Sequence, residues 1–543
     1  MSATLSDTAP LETPAQVITD GTPPESMARA TGVIALGNVA SRVLGLARET
    51  MLSTLFGAGA AVDAFNLAII VPRSLYDLLI GGHVNSALVP VLSEYAAKDD
   101  DRRDLWALVS ALLGIVVVTL SALVLALELL APQVIGVVAS GDAPPEVIAQ
   151  ATDLLRVTAP ALMFLSLFAV LSGLLYALRR FTWPAFASTV FNGTILLVTV
   201  LLYSQLGITA AAVGWLVGAA VQLALQAPGL RDAHLRVRVR GAWDHPGVRR
   251  IGLLYLPVMA SLALDVLVNR PFSYNLASGT GEGSISYMTW ATTLIQFPQG
   301  LVALAISVAI LPTLSRQAVD RADLGLRQFK TTLGQGLRLA IVLIIPATVG
   351  LFVLAGPVVA LIFQHGKFGA VDTAHTALAL RLYLLGLPFA AVDLLLVFAF
   401  YARQNTLTPA IVGLISLVAY MVVALGLLPW YSFFALMIAD SVKHLIHTGV
   451  SAYLLGRSMG GYGGQRLAAT IGRTALAAAG MGALTWAALA LLSTGLPDNV
   501  LGRAMLVMVA GGIGVAAFGA FASWLRLDEW RWLGDLLRRR LRG

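Results

Sequence analysis

The chain has 543 residues, 58% of them hydrophobic and only 12% charged, with a formal net charge of +7 and a mean hydropathy of +0.81. Soluble domains run near 25% charged, so a soluble fold is excluded, and the positive charge is a matter of loops facing a membrane and no sign of nucleic acid. The absence of cysteine excludes disulfides and thiolate metal sites, and the seven histidines show no ligand spacing such as HExxH.

Residues 1–27, with Thr13-Pro14 and Pro23-Pro24, are polar and lack the basic segment and apolar core of a secretory signal. They read as a disordered cytoplasmic tail, and the first helix would serve as an uncleaved signal. Apolar runs then predict helices over 28–56, 63–92, 105–137, 147–178, 182–203, 206–228, 248–278, 284–315, 328–363, 374–402, 406–428, 432–456, 467–494 and 501–525. The fold class is an all-α polytopic membrane protein with fourteen spans. Lys and Arg set its orientation. Loops holding Lys98, Arg102 and Arg103, Arg179 and Arg180, the arginines between 231 and 250, Arg316 to Lys330, Arg403, and Arg457 with Arg466 alternate with loops holding only Lys367 and Arg503. Both termini then face the cytoplasm.

An internal repeat runs through the chain. Tyr176-Ala177 and Pro184-Ala185 recur as Tyr401-Ala402 and Pro409-Ala410, 225 residues later, and Pro132 and Pro357 share that offset. Pro72 and Pro298, and Ala87-Leu88-Val89-Pro90 with Ala309-Ile310-Leu311-Pro312, recur at nearly the same distance. Six helices precede the connector and six follow, and an even number gives both halves one topology, so the repeat is parallel. The expected organisation is an N-lobe over 28–228, a basic cytoplasmic connector over 229–247, a C-lobe over 248–458, two further helices over 459–526, and a basic cytoplasmic tail over 527–543.

A charge in the hydrocarbon core costs roughly 2.5–3.5 kcal/mol on insertion scales, so charged groups in spans face protein or a water-filled cavity. The first span carries Arg42, Arg48 and Glu49. Arg42 and Glu49 are seven apart and fall within about 20° of one face, with Arg48 turned away. Arg48 and Glu49 either share a wide wet face or snorkel to the interface, and Glu49 either acts or neutralises an arginine. In the second span Arg73 and Asp77 are spaced to pair with each other. Asp63 fits an N-cap or a functional acid, and Gly81-Gly82, before His83 and Asn85, fits a gating bend or a close helix contact. Asp265 and Arg270 lie in the seventh span, Asp393 in the tenth, and Asp440, Lys443 and His444 in the twelfth. Asp265 and Asp440 are candidates for ion coupling. The N-lobe charges lean basic, and arginine's planar fork suits a diphosphate, so the chamber fits an anionic guest. With no Walker A sequence, nucleophile–base pair or metal cluster, movement of a ligand is expected and chemistry on it is not.

The stretch Ser41-Arg42-Val43-Leu44-Gly45-Leu46-Ala47-Arg48-Glu49, then Phe56-Gly57-Ala58-Gly59, Asp63-Ala64-Phe65, Pro72 and Ala87-Leu88-Val89-Pro90, resembles the MurJ (MviN) lipid II flippases of the multidrug/oligosaccharidyl-lipid/polysaccharide exporter superfamily. Phe297-Pro298-Gln299-Gly300 and Ala309 to Ser315 match the family's eighth helix. The resemblance spans the chain. It implies a flippase of the bacterial cytoplasmic membrane that carries undecaprenyl-diphosphate-linked peptidoglycan precursor from inner to outer leaflet by alternating access. It implies no cofactor, with drive from the membrane potential or a Na+ or H+ gradient. It implies that Arg42, Arg48 and Asp63 match functional residues, that Glu49 stands for the family's Asp, and that the last two helices form a groove for the lipid tail. Partners implied are the lipid-linked glycan, membrane lipids and cell-wall synthesis proteins. Tyr76 stands where the family's second helix has an arginine, and Thr293 and Gln296 stand where its eighth has Arg and Glu. Arg73 and Arg270 are the expected replacements; the alternatives are a flippase for a different polyprenyl-linked glycan and a non-transporting scaffold for wall synthesis.

Overall fold

The computed structural model describes residues 24–79, 84–98, 102–235, 243–319 and 323–532. Among them there are helices and no strands. Hydrocarbon offers the backbone no hydrogen-bond partner, so each apolar run closes its own bonds as a helix. In chain order these are α1 (Pro24–Phe56), α2 (Ala60–Leu79 and Val84–Lys98), α3 (Arg103–Leu129 and Ala131–Val138), α4 (Pro145–Thr158 and Ala161–Ala177), α5 (Thr182–Leu206) and α6 (Thr209–Ala224). They continue as α7 (Pro246–Leu264, a π turn at Asp265–Asn269, Arg270–Ser278), α8 (Ser284–Pro298, a π turn at Gln299–Leu304, Ala305–Val319) and α9 (Asp323–Phe363). The last are α10 (Ala370–Leu384 and Leu387–Ala402), α11 (Leu407–Tyr431), α12 (Phe434–Met459), α13 (Leu467–Ser493) and α14 (Val500–Trp524). Seven of these are apolar and long enough to cross a membrane unaided, and two more, α4 and α10, qualify when each bent pair counts as one span. The other five, α1, α2, α7, α8 and α12, are interrupted by ionisable groups or by a π turn. The N-terminal residues to 23, Gly81, Gly82 and His83, the connector arginines 236, 238 and 240, and the tail from 533 lie outside the described residues, as does the side chain of Asn85.

The parallel repeat is visible in the helix ends. α4 and α10 begin at Pro145 and Ala370 and end at Ala177 and Ala402, each pair 225 residues apart. α5 and α11 are both 25 residues long and begin at Thr182 and Leu407, the same distance apart. The left-handed residues between helices repeat too: Arg179 (φ 58°) with Gln404 (φ 56°), and Gly207 (φ 54°) with Ser432 (φ 53°). α4 bends by 41° beside Pro160 and α10 by 42° beside Gly386 and Pro388, since proline cannot continue the backbone ladder.

By packing, the described residues up to Met51 form one compact unit with Ala60–Asn275, and Leu52–Gly59 form the other with everything described from Leu276. Lobes follow the repeat, whereas these units follow contacts, and α7 up to Asn275 packs with the first. Small residues bring its helices together. A Cβ on Gly37 of α1 would lie 2.2 Å from the Ala185 carbonyl oxygen of α5, and one on Gly214 of α6 would lie 3.0 Å from that of Ile195. In the second unit Trp290, Phe363 and Phe368 are almost fully buried, with Trp290 stacked on Phe363 at 5.7 Å. The segment Leu52–Gly59 is tied there by Lys367 N–H donating to the Thr54 carbonyl at 3.0 Å. Gly366 makes that approach possible, because its φ is +57° and a Cβ would meet the Thr54 oxygen at 2.2 Å. α13 packs on α9 and α14 through Gly482 and Gly480. Trp486, Leu491 and Val515 stay exposed, as expected of surface that meets lipid.

Candidate functional site

Two charged groups lie in the first unit. The first is built on α1. Arg48 forms an ion pair with its neighbour Glu49 and donates from Nη1 to Asn192 Oδ1 of α5 at 2.9 Å. Its guanidinium lies 5.9 Å from the ring centre of Trp215 on α6, and Trp215 is fixed edge-on by Phe191 at 5.1 Å. Asn192 also donates to the carbonyls of Ser188 and Ser41, at 3.0 and 3.4 Å, so one amide orients Arg48 and ties α5 to α1. Arg48 is therefore turned inward and does not snorkel, with 16% of its side chain exposed against 10% for Glu49. Glu49 takes the neutralising position. Arg42, one face away, is exposed on α1. Asp63 is buried, and because α2 begins at Ala60 it lies inside the first turn, past the cap position. The helix dipole favours an acid there.

The second group joins α2 to α7. Arg270 donates from Nη1 to Asp77 at 2.7 Å and from Nε to Asp265 at 3.1 Å. Asn269 adds a bond to Asp265 at 2.9 Å. Residues five apart diverge by about 140° on an α-helix. The π turn at Asp265–Asn269, closed by the Arg270 N–H on the Asp265 carbonyl, removes that divergence and lets Asp265 reach Arg270. The expected Arg73–Asp77 pair is not formed: Asp77 turns to Arg270, and Arg73 is exposed with no ion pair among the described residues. Arg73, Asp77, Asp265 and Arg270 together sum to zero charge.

Four arginines were expected at a diphosphate site. Arg42 and Arg73 are exposed, while Arg48 and Arg270 are each held by carboxylates. An anion reaching either held arginine would meet a guanidinium already oriented, at the cost of displacing or repelling a carboxylate. Asn192 and Trp215 were not singled out from the sequence, although a lone Asn in the apolar run of α5 was a usable signal. In the second unit, Thr293 donates to its own helix at the Thr289 carbonyl, 3.0 Å away, and Gln296 is exposed. Asp440 of α12 is paired with Lys443 and lies 3.6 Å from His444. No group of three or more metal-ligating side chains occurs among the described residues.

The family model described as "Lipid II flippase MurJ" matches residues 52–501. A probable lipid II flippase MurJ of Vibrio cholerae is 31% identical over 512 residues, covering 90% of this chain and 94% of the relative. One from Haemophilus influenzae is 32% identical over 467 residues, covering 82% and 89%. A solved structure titled "Lipid II flippase MurJ, inward closed conformation" shares the fold, with a TM-score of 0.74, 23% identity, and coverage of 91% of this chain and 99% of that one.

Proposed function

We propose a function for this chain from one premise: it belongs to the lipid II flippase MurJ family. It is a transporter that moves undecaprenyl-diphosphate-linked peptidoglycan precursor from the inner to the outer leaflet of the bacterial cytoplasmic membrane, with both termini in the cytoplasm. The observation that carries this reading is the likeness to a relative named a probable lipid II flippase across 90% of the chain. The arginines support it. Arg48, set between Asn192, Glu49 and Trp215, offers a fixed fork to a phosphate. Arg42, Arg73 and Arg270 complete a basic lining, and Glu49, Asp63 and Asp77 balance it between cargoes. Alternating access carries the headgroup across, while the exposed apolar faces of α13 and α14 hold the lipid tail. The drive is the membrane potential or a Na+ or H+ gradient, for which Asp265 and Asp440 are the candidate acids.

A second reading has specific support. Tyr76, Thr293 and Gln296 replace charged residues of the family pattern, which favours a related polyprenyl-diphosphate glycan with a different headgroup. Complementation separates the two. A bacterium depleted of its own lipid II flippase is made to express this chain, alone or with Arg42→Ala or Arg48→Ala, and growth and outer-leaflet lipid II are followed. Rescue by the parent chain and loss in both variants, at equal membrane levels, is the expected result. No rescue by a well-expressed parent chain removes lipid II as the cargo. Rescue that survives both substitutions removes the arginine site.

A further inference from the structure

The second unit holds a set of ionisable side chains that the diphosphate site does not use. His447 lies near the middle of α12, with Nδ1 hydrogen-bonded to Asp393 Oδ1 of α10 and Ser451 Oγ 3.4 Å away. Two turns before it, Asp440 is paired with Lys443 and lies 3.6 Å from His444 Nε2. The Lys443 ammonium lies 5.5 Å from the ring centre of Tyr420 on α11. Asp440, Lys443 and His444 are each at most 27% exposed, and His447 and Asp393 are at 14% and 16%. Ionisable groups at mid-span are unfavourable unless they serve a purpose.

Charge counting gives the purpose. Two carboxylates, Asp393 and Asp440, face one lysine and two imidazoles. With both imidazoles neutral the set carries −1; with one proton added it carries zero. The remaining titratable groups on the helices packed against α12 are occupied elsewhere or lie apart. On α10, Asp372 accepts from the Tyr287 hydroxyl at 2.7 Å, His375 stacks among Tyr287, Phe433 and Phe434, Arg381 donates to the Phe352 carbonyl, and Tyr383 lies in the segment before the bend. Tyr401, two turns beyond Asp393, is the exception and lies within reach of that carboxylate's charge, and Tyr431 ends α11. On α12, Tyr453 and Arg457 lie in its last two turns. Histidine is the side chain suited to exchange a proton near neutrality. The free ring nitrogen of His447, Nε2, faces Gly413 of α11, where a Cβ would lie 3.8 Å away. At Gly413 no side chain of α11 covers that nitrogen.

We propose that Asp393 and His447, backed by Asp440, Lys443 and His444, form a proton-binding site in the second unit, and that the proton it takes up and releases is the coupling ion. The inference rests on reading the chain as a transporter and names the ion for it. His447 accepts the proton at Nε2 while Nδ1–H stays on Asp393, and release returns the neutral ring; no other bond changes.

Proton uptake by the purified protein decides the site without any cargo. The pH is stepped from about 8 to about 6, a window in which ordinary carboxylates stay ionised. Asp393→Asn removes no histidine, yet is expected to take up measurably fewer protons per chain than the parent, because the carboxylate that balances the added charge is gone. Asp393→Glu restores the uptake, and the surface variant Asp498→Asn leaves it unchanged. Equal uptake by Asp393→Asn and the parent overturns the proposal. The coupling is read in vesicles holding the protein and lipid II, with the voltage clamped at zero by potassium and valinomycin. A pH gradient is expected to speed translocation by the parent several-fold and to have no effect on His447→Gln or Asp393→Asn. A response that survives in both variants, or translocation by the parent that ignores the gradient, overturns it. If the parent moves no lipid II, the cargo reading fails, and the uptake measurement alone decides for or against the proton site.

Discussion

Replacing Asp77 with Asn keeps the shape of the group on α2 and removes its charge. Asp77 lies 2.7 Å from Arg270, and the two side chains are 32% and 28% exposed. Ion pairs this open contribute about 0.5–1 kcal/mol after screening, and Asn still accepts the hydrogen bond, so the loss of stability should stay below about 1 kcal/mol. The effect on an anion is larger. A carboxylate about 5 Å from a bound phosphate repels it by roughly 1–3 kcal/mol as the effective dielectric falls from about 60 to about 20. Asp77→Asn should therefore bind farnesyl diphosphate, a short-chain probe, about 5–100-fold more tightly at low salt, and Arg270→Ala should bind it more weakly. Titration calorimetry on purified protein, with a thermal melt beside it, makes the measurement. Unchanged or weaker binding by Asp77→Asn at unchanged melting temperature would refute the assignment of Arg270 to the anion site. A loss of several kcal/mol in stability would refute the treatment of the pair as solvent-screened.

Three further outcomes follow from the geometry. Asn192→Ala deletes the bond that orients Arg48, worth about 1.5–3 kcal/mol for a charged partner; diphosphate binding should fall by at least tenfold, read by the same titration, while the protein still reaches the membrane. Gly37→Val places a Cβ within 2.2 Å of the Ala185 oxygen and should cost about 1–3 kcal/mol by forcing α1 from α5, whereas Gly32→Ala, with nothing within 4 Å of its added carbon, should not lower the melting temperature. Hydrogen bonds from Arg180 to Asp232 and from Arg503 to Asp498 hold both carboxyls below the usual carboxylate range. A depressed folded-state value stabilises the fold above the ordinary carboxylate pKa of about 3.9 and is lost as pH falls through the folded value; the double variant Asp232→Asn, Asp498→Asn should melt with a shallower loss of stability on acidification below about pH 4 than the parent.

The helices were legible because hydrocarbon leaves an apolar run one way to satisfy its backbone, and the repeat was legible because prolines mark helix ends in both halves. The partners of the charges were not. Arg73 and Asp77 satisfy the local spacing rule, yet Asp77 belongs to Arg270, 193 residues away. Only the π turn at Asp265–Asn269 brings Arg270 and Asp265 together, and a single extra residue per turn leaves no mark in hydrophobic periodicity. Arg48 and Asn192 are 144 residues apart, and the approach of α5 to α1 depends on Gly37, one glycine among 51. His447 carries no local signal, since its partner Asp393 lies on another helix, 54 residues away.

The 225-residue period has a consequence for how the polypeptide is made. Each half contributes six spans, so the second enters the translocon facing the same way as the first. The loop before α5 carries Arg179 and Arg180, and its counterpart before α11 carries Arg403, so a tandem duplication keeps the topogenic signal on the correct side. A gene copied in frame once could yield both halves with no reversal of its charge bias, unlike inverted transporters, whose ancestral half must insert in two opposite orientations.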